Sequence, residues 1–140
     1  MSLSNTFEND LLQLIFNQTT ITGVALTTGG GLLYVALHTA DPGEAGDQST
    51  NEINYATYAR VYTTRGSTGW TVATSTASNT IPIVFSAATT SGSTAAYVSV
   101  GTSGGGTGKI LWSGALTAQL VVTPGVTPVF TTSALNCIID

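Results

Sequence analysis

The sequence predicts an all-β domain, a jelly-roll-like β-sandwich of about eight strands with one short N-terminal helix. Three observations lead to this fold class. Residues 32–42 form the densest apolar run with strand character, between three glycines and an Asp-Pro turn signal. A single segment with helical periodicity precedes this run, and only short apolar runs separated by Gly, Pro, Ser and Thr follow it. The length of 140 residues suits one domain, with a helix and arm in residues 1–28 and the sandwich in residues 29–140.

The helix is predicted over residues 5–17. Asn5 can cap its first turn, and Glu8 three residues later completes a capping-box pattern. One face carries apolar side chains at helical spacing, namely Phe7, Leu11, Leu14 and Ile15. An amphipathic helix of this kind is expected to pack over an open face or end of the sheet. The alternative is that it docks against a neighbouring subunit.

The apolar run after the glycines is predicted to be an internal strand. Its alternate residues Leu33, Val35 and Leu37 share one face, and the residues between them are almost as apolar. A strand without a polar face is typical of a sheet that is covered on both sides. We therefore expect this strand to lie inside the sheet.

Residues 41–52 contain four of the seven acidic residues and are predicted to form a solvated acidic loop. The segment matches a calcium-loop template at Asp41, Gly46 and Glu52. However, Gly43 and Ala45 stand where oxygen ligands are needed, and no helices flank the segment. An open alternative is that this acidity faces a basic patch on a partner.

The remaining chain alternates short strands with turns. A tyrosine-rich strand with a bend is expected over residues 53–63, in which Arg60 stacks or satisfies loop carbonyls. Trp70 and Val72 mark a half-buried strand. Pro82 cannot donate a ladder hydrogen bond, so its strand lies at an edge or starts late. The other predicted strands cover residues 77–86, 96–101, 109–116, 119–123, 126–131 and 134–139.

Charge is scarce, since 7% of residues are charged and about 25% is usual for soluble domains. The net charge is −4, and the basic residues are Arg60, Arg65 and Lys109. Binding to nucleic acid or to an anionic membrane needs a basic surface, so we expect neither partner. The low charge is typical of chains that bury much surface against partners and of tough extracellular β proteins.

The single cysteine, Cys137, allows no intrachain disulfide or thiolate metal site, and we expect a buried apolar role in the last strand. No secretory signal is recognisable, because the apolar stretch of residues 11–16 is short and follows no basic residues. No apolar run approaches the roughly 20 residues that span a bilayer.

Two patterns superficially resemble catalytic motifs. Residues 101–105 fit a nucleophile elbow centred on Ser103, but no helix pattern follows, and His38 is the only possible imidazole base. Residues 104–109 resemble a phosphate loop but lack its first glycine and its magnesium-binding hydroxyl, so a hairpin loop is expected. We predict no catalytic, cofactor-binding or metal-binding residues, and His38 is expected to be a hydrogen-bonded structural residue. A serine hydrolase using Ser103 stays as the alternative from the enzyme class.

Four motifs resemble, in the same order, segments of small virion proteins of tailed bacteriophages. They are residues 33–43, the Tyr-Ala-Arg at 58–60, the Gly-Trp at 69–70, and the Leu-Trp-Ser-Gly-Ala-Leu-Thr at 111–117. The resemblance spans nearly the whole chain. It implies a jelly-roll-like fold without enzymatic activity or cofactors. Members look like capsid cement or decoration proteins, and others carry tail or fibre labels.

The resemblance therefore implies a homo-oligomer, dimer or trimer, that bridges subunits of a major capsid protein (HK97-like fold). It would lie in the virion, on the outer surface of the capsid, after assembly in the host cytoplasm. The alternative is a tail or fibre component that contacts receptor glycans through Tyr62 or Trp70. Edge-strand pairing is the expected mode of contact, through residues 1–28 and the C-terminal strand.

Overall fold

The internal strand, the helix and the turns occur in the predicted order in the computed structural model, which describes residues 2–17, 20–24, 31–74 and 76–138. Side chains of residues 2 and 12–17 are outside this description. The elements in chain order are β1 (Ser2–Leu3), α1 (Asn5–Asn17), β2 (Leu32–His38), β3 (Val61–Thr64), β4 (Trp70–Ala73), β5 (Thr76–Asn79), β6 (Ile83–Val84), β7 (Ser93–Gly101), β8 (Ile110–Val122), β9 (Val129–Phe130) and β10 (Asn136–Ile138).

All strand pairs are antiparallel and form three sheets. The largest has five strands in the order β1-β8-β7-β2-β3, the second has the order β10-β5-β4, and the third pairs β6 with β9. The all-β sandwich with one short helix is confirmed. The jelly-roll arrangement is not confirmed, because the sheets contain five, three and two strands and not two sets of four.

The main core lies between the five-stranded sheet and the two smaller sheets. Alternate residues of β2 and β7 face it, because successive side chains of a strand point to opposite faces. Its buried members include Val35, Leu37, Val98, Val100, Ile83, Phe85, Leu135 and Cys137. Burial raises the pKa of the Cys137 thiol to about 12, so this residue behaves as a small apolar side chain, as predicted.

Strand β2 is internal, as expected, with β3 on one side and β7 on the other. Val35, Ala36, Leu37 and His38 are all fully buried. Both faces of this strand are therefore covered, which explains why neither face of its sequence is polar.

Helix α1 has the predicted bounds, but its cap is Ser4 and not Asn5. The Phe7 N–H donates to Ser4 Oγ at 3.3 Å, and the Ser4 hydroxyl donates to the Ile110 carbonyl at 2.7 Å. Because this second bond ties Ser4 to β8, the helix begins one residue after it. The side chains of Leu14 and Ile15 lie outside the described residues, so the predicted face is tested only in part.

Phe7 packs the described start of α1 onto the sheet. Its ring meets Trp112 edge-on at 5.4 Å between centroids, and it shares a small buried cluster with Ile21 and Leu111. This contact agrees with the expected packing of the helix on the β domain. Among the described residues, no helix is long and apolar enough to cross a membrane.

The tyrosine-rich strand predicted over residues 53–63 is wrong for most of its length. Residues 53–60 form turns and irregular chain, and β3 begins at Val61. The hydroxyls of two tyrosines fix this segment to other parts of the chain. Tyr55 donates to the Ser86 carbonyl at 2.9 Å, and Tyr58 accepts the Leu37 N–H at 3.1 Å. Propensity predicts a strand here, but these tertiary hydrogen bonds override it.

Other strand bounds also differ from the predictions. The two strands expected over residues 109–116 and 119–123 form one long strand, β8. The strand expected over 77–86 is split around Pro82 into β5 and β6, in line with the missing N–H of proline. Trp70 is buried as expected, but Val72 is 76% exposed, so its predicted burial is wrong.

Candidate functional site

A buried polar cluster joins the acidic loop (residues 41–52) to the glycine loop (residues 102–109). At its centre, Arg60 makes two hydrogen bonds to the Glu52 carboxylate, each 2.7 Å long. Two of its other N–H groups donate to the carbonyls of Ser103 at 3.0 Å and Gly106 at 2.7 Å. The predicted bonding to loop carbonyls is confirmed. The hydrogen bonds with Glu52 raise the pKa of Arg60, so the guanidinium stays charged.

His38 is fully buried and belongs to the same region. Its Nδ1 lies 2.8 Å from the Thr50 carbonyl oxygen, and its Nε2 lies 2.8 Å from the Ser99 hydroxyl. Since a carbonyl only accepts, Nδ1 carries the proton and Nε2 accepts from Ser99. Burial lowers the pKa of His38, so the ring is neutral. The predicted structural role is in agreement with this geometry.

Gln48 connects the two loops from inside. Its amide donates to the Tyr34 carbonyl at 3.0 Å and accepts the Ser103 N–H at 3.1 Å. A Cβ on Gly108 would lie 2.3 Å from Gln48 Oε1, so only glycine leaves room for this side chain. The apparent phosphate loop is thus a hairpin loop shaped around a buried glutamine. Sequence reasoning did not identify Gln48, because a polar residue inside an acidic loop gives no signal of burial.

The serine of the elbow pattern is not joined to an imidazole. The Ser103 hydroxyl donates to the Gly105 carbonyl at 2.7 Å, while both ring nitrogens of His38 are bonded elsewhere. A strand-loop-strand hairpin, and not the strand-to-helix turn of hydrolases, contains this serine. Ser103 and His38 are therefore not arranged as the nucleophile and general base that a serine hydrolase requires.

The carboxylates that match the calcium-loop template accept hydrogen bonds from other groups of the chain. Asp41 accepts the Gly43 N–H at 2.9 Å, and Glu52 is occupied by Arg60. The Ser49 hydroxyl, donating to Asp47, is the main reason that the pKa of Asp47 is lowered. In the part of the chain that the structure describes, no three metal-ligating side chains come together.

The two aromatic residues proposed for receptor contact differ in access. Tyr62 is 64% exposed, and its ring meets Tyr34 edge-on at 6.5 Å between centroids. Trp70 is 7% exposed, and its indole lines a cleft between the sheets together with Trp112. The expectation of an exposed aromatic therefore holds for Tyr62 and is wrong for Trp70.

Residues 1–28 and the C-terminal strand are the segments that we expect to contact partners. Where the structure describes them, their strands pair with other strands of the same chain. β1 pairs with β8 at Ser113 and Trp112, and β10 pairs with β5. These pairings close the sheets of one molecule, which is the simpler of the two roles for chain ends. The arm at residues 18–19 and 25–28 lies outside the described residues.

The long strand β8 continues beyond the part that pairs with β1. Beyond Ser113, β1 no longer covers this strand, and the residues from Leu116 to Gln119 lie opposite the single residue Ala96 of β7. We call residues 115–121 the β8 edge. Beside it runs a groove of about 400 Å³ with Leu37 and Val98 among its lining residues. No charged side chain lines this groove.

Comparison with known proteins gives one informative result. No curated protein matches this sequence. A family model described as "Podophage GP4 fiber I protein gp80" matches residues 2–137, which is nearly the whole chain. The chain therefore belongs to this podophage fiber I protein family and is a structural protein of the bacteriophage virion type.

Proposed function

We propose that this chain is a non-enzymatic structural component of a bacteriophage fibre. The observation that carries the proposal is the family match over residues 2–137, because the family is described as a fiber protein. The low charge of the chain supports it, since surfaces poor in charge suit permanent burial against other virion subunits.

The polar side chains support a structural role as well. His38, Glu52 and Ser103 are the residues that acid-base or nucleophilic chemistry would need. His38 and Glu52 make hydrogen bonds to other segments of the chain, and the Ser103 hydroxyl donates within its own loop. None of these three residues lines the groove beside β8 or the cleft at Trp70.

A second candidate is a capsid cement or decoration protein that bridges major capsid protein subunits of the HK97-like fold on the outer surface of the head. The ordered resemblance of residues 33–43, 58–60, 69–70 and 111–117 to small virion proteins favours it. The description of the matching family favours the fibre role over this one.

Gold-labelled antibodies against the chain, applied to purified particles, separate the two candidates. The fibre proposal predicts label confined to projecting fibres. Label spread over the whole head would contradict it and support the cement role. Antibody saturated beforehand with purified protein is the control, and it must remove the label in both cases.

Receptor contact is the finer part of the fibre proposal. The exposed ring of Tyr62, supported by Tyr34, is the aromatic surface that a sugar ring could stack on. A glycan screen with the purified chain and with Tyr62→Ala tests this role. Binding that is lost in the variant supports it, and an absence of binding by the unaltered chain contradicts it.

A further inference from the structure

We propose that the cleft between the sheets at Trp70 and Trp112 binds a small aromatic carboxylate, which is an acid group carried by a single apolar ring. We call this space the tryptophan cleft. The inference goes beyond the proposed structural role, because it assigns a ligand site to the chain and applies to a fibre and to a capsid location alike. The size of the cleft, its apolar walls, its unpartnered donors and its charged lining residue carry the inference.

The tryptophan cleft has the size of one substituted ring. Its volume is about 190 Å³. Sites for drug-sized ligands are larger and usually measure about 300–1,000 Å³. A cavity of about 150 Å³ is enough to hold a benzene molecule. A ligand that fills the tryptophan cleft is therefore a single ring with a short substituent.

The walls of the cleft are mostly apolar and come from both sides of the sandwich. Leu33, Val100 and Trp112 belong to the five-stranded sheet, while Val72 and Ala77 belong to β4 and β5 of the second sheet. Apolar walls favour an apolar ring, because both surfaces leave water together. They offer few partners to the hydroxyl groups of a sugar, and each buried hydroxyl without a partner is costly. An aromatic ring therefore fits these walls better than a sugar ring does.

Buried polar atoms without partners gather at this cleft. Within the described part of the chain, three buried side-chain polar atoms make no hydrogen bond, namely Trp70 Nε1, Trp112 Nε1 and Thr63 Oγ1. Both tryptophans line the cleft, and Thr63 lies opposite another lining residue, Leu33, in the ladder between β2 and β3. Buried polar groups normally have partners, so this group of exceptions points to an acceptor from outside the chain. An ionised carboxylate supplies only acceptors, which suits indole N–H groups that can only donate.

Arg65 is the charged residue that lines the cleft, and its positive charge favours an anionic ligand. The other two basic residues have carboxylate partners, whereas Arg65 forms no ion pair with a described residue. Its Nη1 donates to the Val24 carbonyl, which holds the side chain in place and uses one of its three nitrogens. The Nε and Nη2 edge of a guanidinium can bind a carboxylate through two parallel hydrogen bonds. Arg65 thus provides the counter-charge for the acid group of the ligand.

No acidic side chain lines the cleft, although the chain as a whole is acidic. The sequence has no acidic residue between Glu52 and Asp140, and this stretch supplies every lining residue except Leu33. The Cys137 thiol also lines the cleft, and it stays neutral because burial raises its pKa to about 12. A carboxylate can therefore enter without meeting a like charge on the residues that line the cleft.

Intrinsic fluorescence tests the proposal directly, because the chain has two tryptophans and both line the cleft. Each indole Nε1 is shielded from solvent, so we expect the rings to turn and their emission to change when a carboxylate binds. The full chain is titrated with phenylacetate. We expect a saturable change with a dissociation constant of about 1 mM or lower. Phenylethanol keeps the ring but carries no charge, and it should bind at least about tenfold more weakly.

Three variants locate the binding. Arg65→Met removes the guanidinium and should raise the dissociation constant of phenylacetate at least about tenfold, while the weaker binding of phenylethanol stays the same. Lys109→Met removes a basic residue outside the cleft and is the matched control, so it should bind like the unaltered chain. Ala77→Leu fills part of the cleft and should weaken the binding of both compounds. Circular dichroism of each variant checks that it is folded.

The two indole N–H signals in the NMR spectrum of the unaltered, isotope-labelled chain provide a measurement that needs no variant. Both signals should shift as phenylacetate is added, and they should saturate together with the fluorescence change. Unmoved signals, equal affinity for phenylethanol, or an Arg65→Met variant that binds as tightly as Lys109→Met would each overturn the proposal. Glucuronate binding as tightly as phenylacetate would overturn the aromatic class in favour of an acidic sugar. None of these outcomes alters the gold-label test of the fibre role.

Discussion

Two regions of this small β-sandwich treat their polar groups in opposite ways. In the loop cluster, the acidic and glycine loops bury Arg60, Gln48 and His38, and each of these finds partners within the chain. Along the β8 edge, side chains are uncharged, and Leu116 to Gln119 have only Ala96 of β7 opposite them. The loop cluster is thus held by side-chain hydrogen bonds, whereas the β8 edge is a mostly exposed, uncharged stretch of strand.

The first prediction would break the loop cluster, and it has the largest expected effect. Arg60→Met leaves two loop carbonyls without their Arg60 donors and the Glu52 carboxylate with the Tyr58 hydroxyl as its remaining side-chain donor. We expect the free energy of unfolding to fall by about 3 kcal/mol, measured by urea denaturation. Lys109→Met removes a more exposed ion pair with Asp10 and should cost less than about 1 kcal/mol. Equal losses in the two variants would refute this account of the cluster.

The second prediction probes the close fit between the glycine loop and Gln48. Gly108→Ala places a Cβ 2.3 Å from Gln48 Oε1 and 2.7 Å from Ser103 Cβ. The loops must separate to admit it, so we expect a loss of about 2 kcal/mol in thermal or urea unfolding. Gly105→Ala is the control, since no atom lies within 4 Å of its added Cβ. It should change stability by less than about 0.5 kcal/mol.

The third prediction concerns pH. The pKa of His38 is lowered by burial, so the unfolded chain binds a proton more readily than the folded chain does. Stability is therefore complete above the unfolded pKa of about 6.5 and decreases as the pH falls from there toward the lowered folded value. For one group the slope cannot exceed about 1.4 kcal/mol per pH unit.

His38→Gln is the control for this titration, because the chain contains no other histidine. Urea unfolding between pH 7 and pH 5, a window chosen around the ordinary histidine pKa of about 6.5, should show a falling stability only in the unaltered chain. A flat profile in the unaltered chain would mean that the folded state accepts the proton at no cost.

The fourth prediction concerns a substitution in the β8 edge and has the smallest expected effect. Ala118→Lys should change the free energy of unfolding by less than about 0.5 kcal/mol, because the side chain is exposed. Urea denaturation of the dilute protein measures it. A loss comparable to that of Arg60→Met would show that Ala118 contributes to the packing of the fold as much as the loop cluster does.

The sequence predicts those parts of the fold that local patterns determine. Helix α1 and strand β2 follow from apolar periodicity and from flanking turn residues, and both are confirmed. The structural role of His38 and the bonding of Arg60 to loop carbonyls were also predictable. Each is an isolated polar residue in an apolar stretch of the sequence, and it must find a partner when it is buried.

Long-range pairings were not predictable in the same way. Nothing in the sequence indicates that Glu52 meets Arg60, that Gln48 fills the space beside two glycines, or that Ser4 replaces Asn5 as the cap. These depend on contacts between segments that are distant in the sequence. The continuity of β8 was missed because Thr117 and Gln119 interrupt the apolar pattern, although their side chains simply face solvent.

The most direct test of the central claim is a map of the intact particle that resolves this subunit. The account predicts that this subunit lies within a projecting fibre of the particle. A map that places the subunit on the head shell and not in a fibre would contradict it.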